Sequence, residues 1–251
     1  MTESLISTIT PFQWALIGLS GMLIGMNKAG LMGAAMAAIP IMAGIFGAQL
    51  SVGVILPMLI TADVVAVIYY RRHAEWGVML RLLPWTMIGV GIGALVGGTI
   101  PEESFRSLLA IVVLAGVALL AYKEIAHRDV QVPERWWIAA VLGLAAGFAT
   151  MVGNAAGPIT TLYLFSMGMS KNRFIGTGAW FYFVVNTLKV PFHVVFWGTI
   201  TSDTLLINLV TVPVIVGGGL LGLYLVRLIK ERPYRLFILI ATATISLRLL
   251  F

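Results

Sequence analysis

The chain has 251 residues, 60% of them hydrophobic and only 10% charged, with a formal net charge of +6. A soluble globular domain carries about 25% charged residues, so that class is excluded, and the absence of cysteine excludes disulfides, thiolate metal sites and a cysteine nucleophile. The positive charge is gathered in short segments between apolar runs, which follows the positive-inside rule and argues against a nucleic-acid partner.

Apolar blocks run over residues 11–46, 50–70, 79–99, 105–123, 136–168, 174–197, 204–226 and 234–251. A helix needs about 17–25 apolar residues to cross a hydrocarbon core, so the chain reads as an all-α polytopic membrane protein, with one transmembrane domain over 1–251. Residues 1–10 hold Glu3 and no basic residue. A signal peptide carries a basic n-region, so the first block is expected to be retained. Blocks one and five are long, and each is interrupted by a polar, glycine-containing element. These are Asn27-Lys28-Ala29-Gly30 and Gly153-Asn154-Ala155-Ala156-Gly157-Pro158.

The two interruptions align with each other, Asn27 on Asn154 and Gly30 on Gly157. Further along, Trp76-Gly77 resembles Trp197-Gly198, Pro84 resembles Pro213, and Phe105-Arg106 resembles Tyr234-Arg235. The chain therefore divides into two pseudo-repeats, about 11–126 and 136–251. Four loops are basic: Arg71, Arg72 and Arg81; Lys123, Arg128 and Arg135; Lys171 and Arg173; Arg227, Lys230, Arg232 and Arg235. The connections around 47–49, 100–104 and 198–203 hold no Lys or Arg. All four basic loops reach the cytoplasm only if each half crosses the membrane an odd number of times. Each half is then a broken helix pair or hairpin plus three transmembrane helices, and the halves have opposite topology, with the N-terminus outside. Inverted repeats with paired broken helices are the architecture of many secondary transporters, and the breaks point to the binding site. A proline or glycine kink in a packed helix is the plainer reading of either break.

Two lysines lie inside apolar blocks, Lys28 in the first and Lys189 in 174–197. A cation at the centre of a membrane helix costs about 2.5–3.5 kcal/mol on insertion scales, and its simplest use is to hold an anion in transit. Asn27 and Asn154 are expected as N-caps of helices restarting at each break, with Pro158 in a first turn. Two helix N-termini would then form an anion cradle, with Lys28 adding a full charge to one of them. Gly25, Gly30, Gly153 and Gly157 would admit an anion close to the backbone, or else serve helix packing. Packing is the reading for Gly89, Gly93 and Gly97, and for Gly218 and Gly222.

In block six, Asn186, Lys189 and His193 share one helical face, with Tyr182 one turn earlier, and Pro191 is placed to kink the helix. The same residues could instead be a polar seam that joins helices. Asp63, in block two, either pairs with Lys28 or Lys189 or carries a proton. The site set is therefore Asn27, Lys28, Gly30, Asn154, Gly157, Asn186 and Lys189 for the anion, and Asp63 and His193 for proton coupling. His73 and His127 are read as solvated. Trp14, Trp76, Trp85, Trp136, Trp137 and Trp197 are read as an interfacial belt. No metal-ligand spacing, nucleophile elbow or phosphate loop is present, and no cofactor is expected. The candidate functions are an anion transporter working by alternating access, an anion channel, a membrane enzyme and a scaffold.

Several of these segments resemble the sulfite exporter TauE/SafE family. In the first half they are Gly25-Met26-Asn27-Lys28-Ala29-Gly30 running on to Pro40, Leu56-Pro57, Ala62-Asp63 and Tyr69-Tyr70-Arg71-Arg72-His73-Ala74. In the second half they are Gly153 to Pro158, Arg173-Phe174-Ile175-Gly176-Thr177, Ala179-Trp180-Phe181, Asn186 and Lys189-Val190-Pro191-Phe192. The resemblance implies a secondary transporter, not an enzyme. It would move sulfite, sulfonates, sulfoacetate or related organic anions across a bacterial inner membrane; protons are the coupling partner expected from Asp63 and His193, and a homodimer is left open. Many members carry a glycine-rich first motif where this chain has Asn27-Lys28-Ala29, and the lysine favours a larger or more strongly charged anion.

Overall fold

The computed structural model describes residues 5–31, 33–126 and 136–228, with 240, 243, 244 and 247 beyond them. Regular structure among these residues is entirely helical. In order come α1 (Pro11–Lys28), α2 (Ala34–Phe46), α3 (Ala48–Tyr70), α4 (Trp76–Thr99), α5 (Glu102–Ala126), α6 (Trp136–Gly153), α7 (Gly157–Ser166), α8 (Lys171–Pro191) and α9 (Ser202–Leu228). Five of the described helical stretches, 48–70, 76–99, 136–153, 172–196 and 202–225, are long and apolar enough to cross a membrane. The chain is a multi-pass membrane protein. Apart from 240, 243, 244 and 247, the expected block 234–251 lies outside the described residues, as do the basic residues Arg128, Arg135, Lys230, Arg232, Arg235 and Arg248.

Local chemistry sets the helix ends. Thr10 caps α1 through a reciprocal pair with Gln13, and Pro11 fills the first turn, where a missing N–H goes unnoticed. Block one breaks after Lys28. Gly30 (φ 114°) and Gly33 (φ 94°) take left-handed conformations that a side chain would resist, and α2 starts after them. Block five breaks after Gly153. At Pro191 α8 gives way to a π-helical segment over Phe192–Phe196, as a proline that cannot complete the helical ladder would require.

Contacts between connections sort them onto two ends of the bundle. At one end Asp203 accepts the Leu5 N–H (2.8 Å), and Glu102 accepts the Ala48 N–H (2.5 Å). There too Gln49 donates to the Gly97 carbonyl (3.0 Å), and the Trp197 indole donates to Ala94 (3.0 Å). At the other end Arg173 pairs with Glu75 (2.8 Å), and Thr177 accepts the Glu75 N–H (2.9 Å). The α1–α2 hairpin therefore begins and ends at the first end. Trp136, at the start of α6, lies against Trp85 in a tilted ring pair (centroids 6.3 Å apart), and α7 leads into Lys171 and Arg173 at the second end.

The two most extensive helix pairs are α4 with α6 and α1 with α9, and α3 is the hub that touches α8, α9, α2, α1, α5 and α6. Glycine makes both pairs close. A Cβ on Gly25 would overlap the Ile215 carbonyl, and one on Gly147 the Thr86 carbonyl. Gly89 and Gly218 meet Leu144 and Met22 backbone in the same way. Small residues at such contacts let helix backbones approach closely where no hydrophobic force drives them together. Large apolar side chains such as Leu95, Val195, Leu209 and Leu220 remain on the outside, the composition a lipid-facing surface requires.

Candidate functional site

Where α1 and α6 end inside the bundle, they and α8 bring polar groups to one cluster beside α3. Asp63, fully buried on α3, is its only carboxylate among the described residues. Lys28, in the last turn of α1, places its ammonium 2.6 Å from Asp63 Oδ1, and the ring of Tyr182 on α8 lies 4.1 Å from the same ammonium. Asn186 on α8 donates from Nδ2 to Asp63 Oδ2 at 2.7 Å. One turn along α8, Lys189 is also fully buried. Its ammonium donates to the Thr150 carbonyl (2.7 Å), the Thr150 hydroxyl (3.2 Å) and Asn154 Oδ1 (2.7 Å).

These partners show which lysine Asp63 pairs with. It forms an ion pair with Lys28, while Lys189 is satisfied by neutral acceptors alone. With both lysines and the carboxylate ionised, the cluster holds one more positive than negative charge. Lys189 has three N–H donors and three acceptors, so its hydrogen bonding is complete and its charge is not balanced.

The helix ends correct part of the sequence reading. Asn27 is not an N-cap. It lies within α1, and its Oδ1 reaches forward to accept the Gly33 N–H (2.9 Å), so it supports the start of α2 from the preceding helix. Lys28 is the last residue of α1 rather than the first of a new helix. Asn154 is not the N-cap of α7 either. It follows α6 in a left-handed conformation (φ 53°), which asparagine tolerates better than most residues, and its N–H bonds the Thr150 carbonyl. Both lysines thus sit by the carbonyl end of a helix, Lys28 in the last turn of α1 and the Lys189 ammonium on the Thr150 carbonyl in the last turn of α6. The negative end of the helix dipole favours a cation in both places. The sequence pattern located the breaks but could not tell which side of each break would hold the charge.

The N-terminal ends exist as separate features. α7 begins at Gly157 with Pro158 in its first turn, and nothing lies within 4 Å of where a Gly157 Cβ would be. A Cβ on Gly116 of α5 would lie 2.9 Å from Met36 on α2 and 3.2 Å from Pro158 on α7, so the first turns of the two short helices face the same point of α5. Gly30, expected to admit an anion or to serve packing, takes a positive φ of 114° at the break. Gly25 and Gly153 are packing glycines, against α9 and against Leu109 of α5.

Some participants were not singled out from sequence. Thr150 supplies two of the three acceptors of Lys189. Its signal was present as a polar residue one turn before Asn154 at the end of an apolar block. The Val52 and Val54 carbonyls of α3 accept from Asn154 Nδ2 (3.0 Å) and Asn208 Nδ2 (3.1 Å). They flank Gly53, whose carbonyl loses its helical donor because Pro57 has no N–H. His193 sits apart from the lysines' partners. The π segment turns it to Thr199, with Nδ1 2.8 Å from the hydroxyl, so the shared face with Asn186 and Lys189 breaks at Pro191. Trp197 is half-buried, packed on Phe105 and His193 as well as bonded to Ala94, a buttress more than a belt residue. Among the described residues no group of three or more His, Cys, Asp or Glu side chains could hold a metal ion.

A protein-family model described as Sulfite exporter TauE/SafE matches residues 16–249. No curated protein and no solved structure matches the chain.

Proposed function

Because this chain belongs to the sulfite exporter TauE/SafE family, and is therefore a membrane transporter rather than an enzyme, we propose that it carries a small sulfur-containing or organic anion by alternating access. The anion binds at Lys28 and Lys189, with Asn154 and Asn186 as hydrogen-bonding partners and the breaks at Asn27, Gly30 and Gly157 giving it access to the backbone. The observation that carries this reading is the charge of the buried cluster: two lysines against one carboxylate, the second lysine held by neutral oxygens only. A buried cation without a counter-charge is costly in a membrane, and an anion in transit removes the imbalance.

The two-half architecture belongs to the same proposal. Its support is the exchange of partners between halves. The first helix of each half, α1 and α6, packs against a long helix of the other, α9 and α4. Interpolating between the Asn27/Asn154 and Trp76/Trp197 matches sets Asp63 opposite Asn186, and these two side chains bond each other directly, as residues on a two-fold axis would. The α1–α2 and α6–α7 hairpins open toward opposite ends of the bundle. The end with Arg173, Arg71 and Arg72 takes the cytoplasmic side by the positive-inside rule, which leaves the N-terminus outside an inner membrane.

The test is uptake of labelled sulfite into proteoliposomes, with sulfonates and sulfoacetate as competitors. Flux that falls at least about 10-fold in both Lys28→Ala and Lys189→Ala is expected, the size of effect typical of a lost buried charge contact. Wild-type flux in a folded Lys189→Ala protein would remove that lysine from the path.

A further inference from the structure

The site proposed above is already occupied by an anion, the protein's own. The Asp63 carboxylate is fully buried and lies 2.6 Å from the Lys28 ammonium, in the position an oxyanion would need. We propose that Asp63 is a tethered stand-in for the substrate: in the empty carrier it occupies Lys28, the arriving anion takes its place, and the displaced Asp63 holds the proton that travels with that anion. This rests on the anion-carrier reading and adds its coupling device.

Three features of the surroundings fit a carboxylate that leaves and returns. Lys28 has a second partner, the Tyr182 ring at 4.1 Å, which keeps the ammonium in place by a cation–π contact when the carboxylate moves. Asn186, which holds Asp63 Oδ2 at 2.7 Å, carries both a donor and an acceptor. It donates to the ionised carboxylate, and after a flip of its amide it accepts from the protonated acid, so it serves either state. Lys189 keeps its three neutral acceptors whatever Asp63 does, and remains available to the anion.

The charged and titratable groups facing Asp63 are Lys28 from α1 and Tyr182 and Lys189 from α8, with His193 beyond Lys189. The groups turned toward α3 from α9 and from the α6–α7 break are the uncharged Asn208 and Asn154. Asp63 is therefore the one acid in the cluster, and the charge balance follows. Empty, the cluster holds Lys28⁺, Asp63⁻ and Lys189⁺. Loaded with a monoanion and one proton on Asp63, it holds the same net charge. The proton is taken from the aqueous phase on the side where the anion enters. It is released on the other side when Asp63 returns to Lys28. One proton thus accompanies each monoanion, and the loaded and empty crossings then carry equal charge.

The experiment compares sulfite/sulfite exchange with pH-gradient-driven sulfite accumulation in proteoliposomes of wild type and Asp63→Asn. Exchange needs no net proton movement and accumulation does. Asp63→Asn is expected to lower the half-saturating sulfite concentration for exchange by roughly 5–150-fold, the usual range for coupled sites, because the internal competitor is gone, and to abolish accumulation. Accumulation at the wild-type level in D63N overturns the proposal, and so does loss of exchange in a folded D63N protein. If wild type shows neither activity with sulfite, it is the anion-carrier reading that fails. Should D63N fail to fold, carbodiimide labelling of Asp63 in wild type decides the matter. Carbodiimides react with protonated carboxyls, so labelling should rise at least about 5-fold when sulfite is bound, whereas labelling indifferent to sulfite overturns the proposal.

Discussion

Replacing Lys28 by methionine should cost far more stability than replacing Lys189, although both remove a buried ammonium. Lys189 is held by Thr150 and Asn154. Removing it leaves the Thr150 carbonyl with its Asn154 N–H donor, and Asn154 Nδ2 with the Val52 carbonyl. The loss is chiefly the acceptor left at Asn154 Oδ1, about 1–3 kcal/mol for an unsatisfied buried group. Against this stands release of an uncompensated charge from the bundle, about 2.5–3.5 kcal/mol. Lys189→Met should therefore lie between about 0.5 kcal/mol less stable and about 2.5 kcal/mol more stable than wild type. Lys28→Met strands Asp63, which is fully buried and would keep only Asn186. Breaking a buried pair from one side costs about 3–5 kcal/mol. Steric trapping or urea unfolding in bicelles measures both, and the two variants should differ by at least about 2.5 kcal/mol. Equal losses, or a Lys189→Met loss above about 2 kcal/mol, would refute the assignment of the ion pair to Lys28.

The double variant Lys28→Met/Asp63→Leu should recover most of the Lys28→Met loss, to within about 1 kcal/mol of wild type in the same assay, because an apolar pair replaces a buried ionic one at little net cost. Gly147→Ala and Gly25→Ala force side-chain atoms into the backbones of α4 and α9. Each should lose about 1–3 kcal/mol by overpacking, while Gly91→Ala, with open space at its Cβ, should be neutral or gain up to about 1 kcal/mol of helix propensity in a thermal melt. Asn154→Gly keeps the left-handed turn and Asn154→Ala does not. The alanine variant should be less stable by about 1–2 kcal/mol, and both should slow sulfite flux by removing the acceptor at Lys189.

The bundle was legible in the sequence because apolar length is a direct physical demand of the bilayer. The two breaks were legible because Asn-Lys-Ala-Gly and Gly-Asn-Ala-Ala-Gly-Pro interrupt otherwise apolar blocks. Spacing along α8 placed Asn186 and Lys189 on one face, and both reach the same cluster. The sequence could not say which helix end each break would offer. Asn27 and Asn154 are as good at finishing a helix as at starting one, and left-handed glycines at positions 30 and 33 moved the start of α2 beyond Lys28. The choice of Lys28 over Lys189 as partner for Asp63 was equally hidden, since it depends on how α1 and α8 meet across α3. The bond of His193 to Thr199 was hidden for a local reason: α-helical periodicity does not carry through Pro191, where the chain changes to a wider turn.

The order in which the lysines meet their partners has a consequence for biogenesis. Lys189 emerges from the ribosome after Thr150 and Asn154, so its acceptors are already in place when its helix enters the membrane. Lys28 emerges before Asp63, on a helix whose main packing partner, α9, is made after all the other helices α1 to α8. Until α3 arrives, α1 carries an unpaired cation, and until α9 arrives its glycine face is uncovered. Insertion of the α1–α2 hairpin is therefore the step most dependent on the translocon's holding a helix back, and it is completed only when α9 closes onto α1.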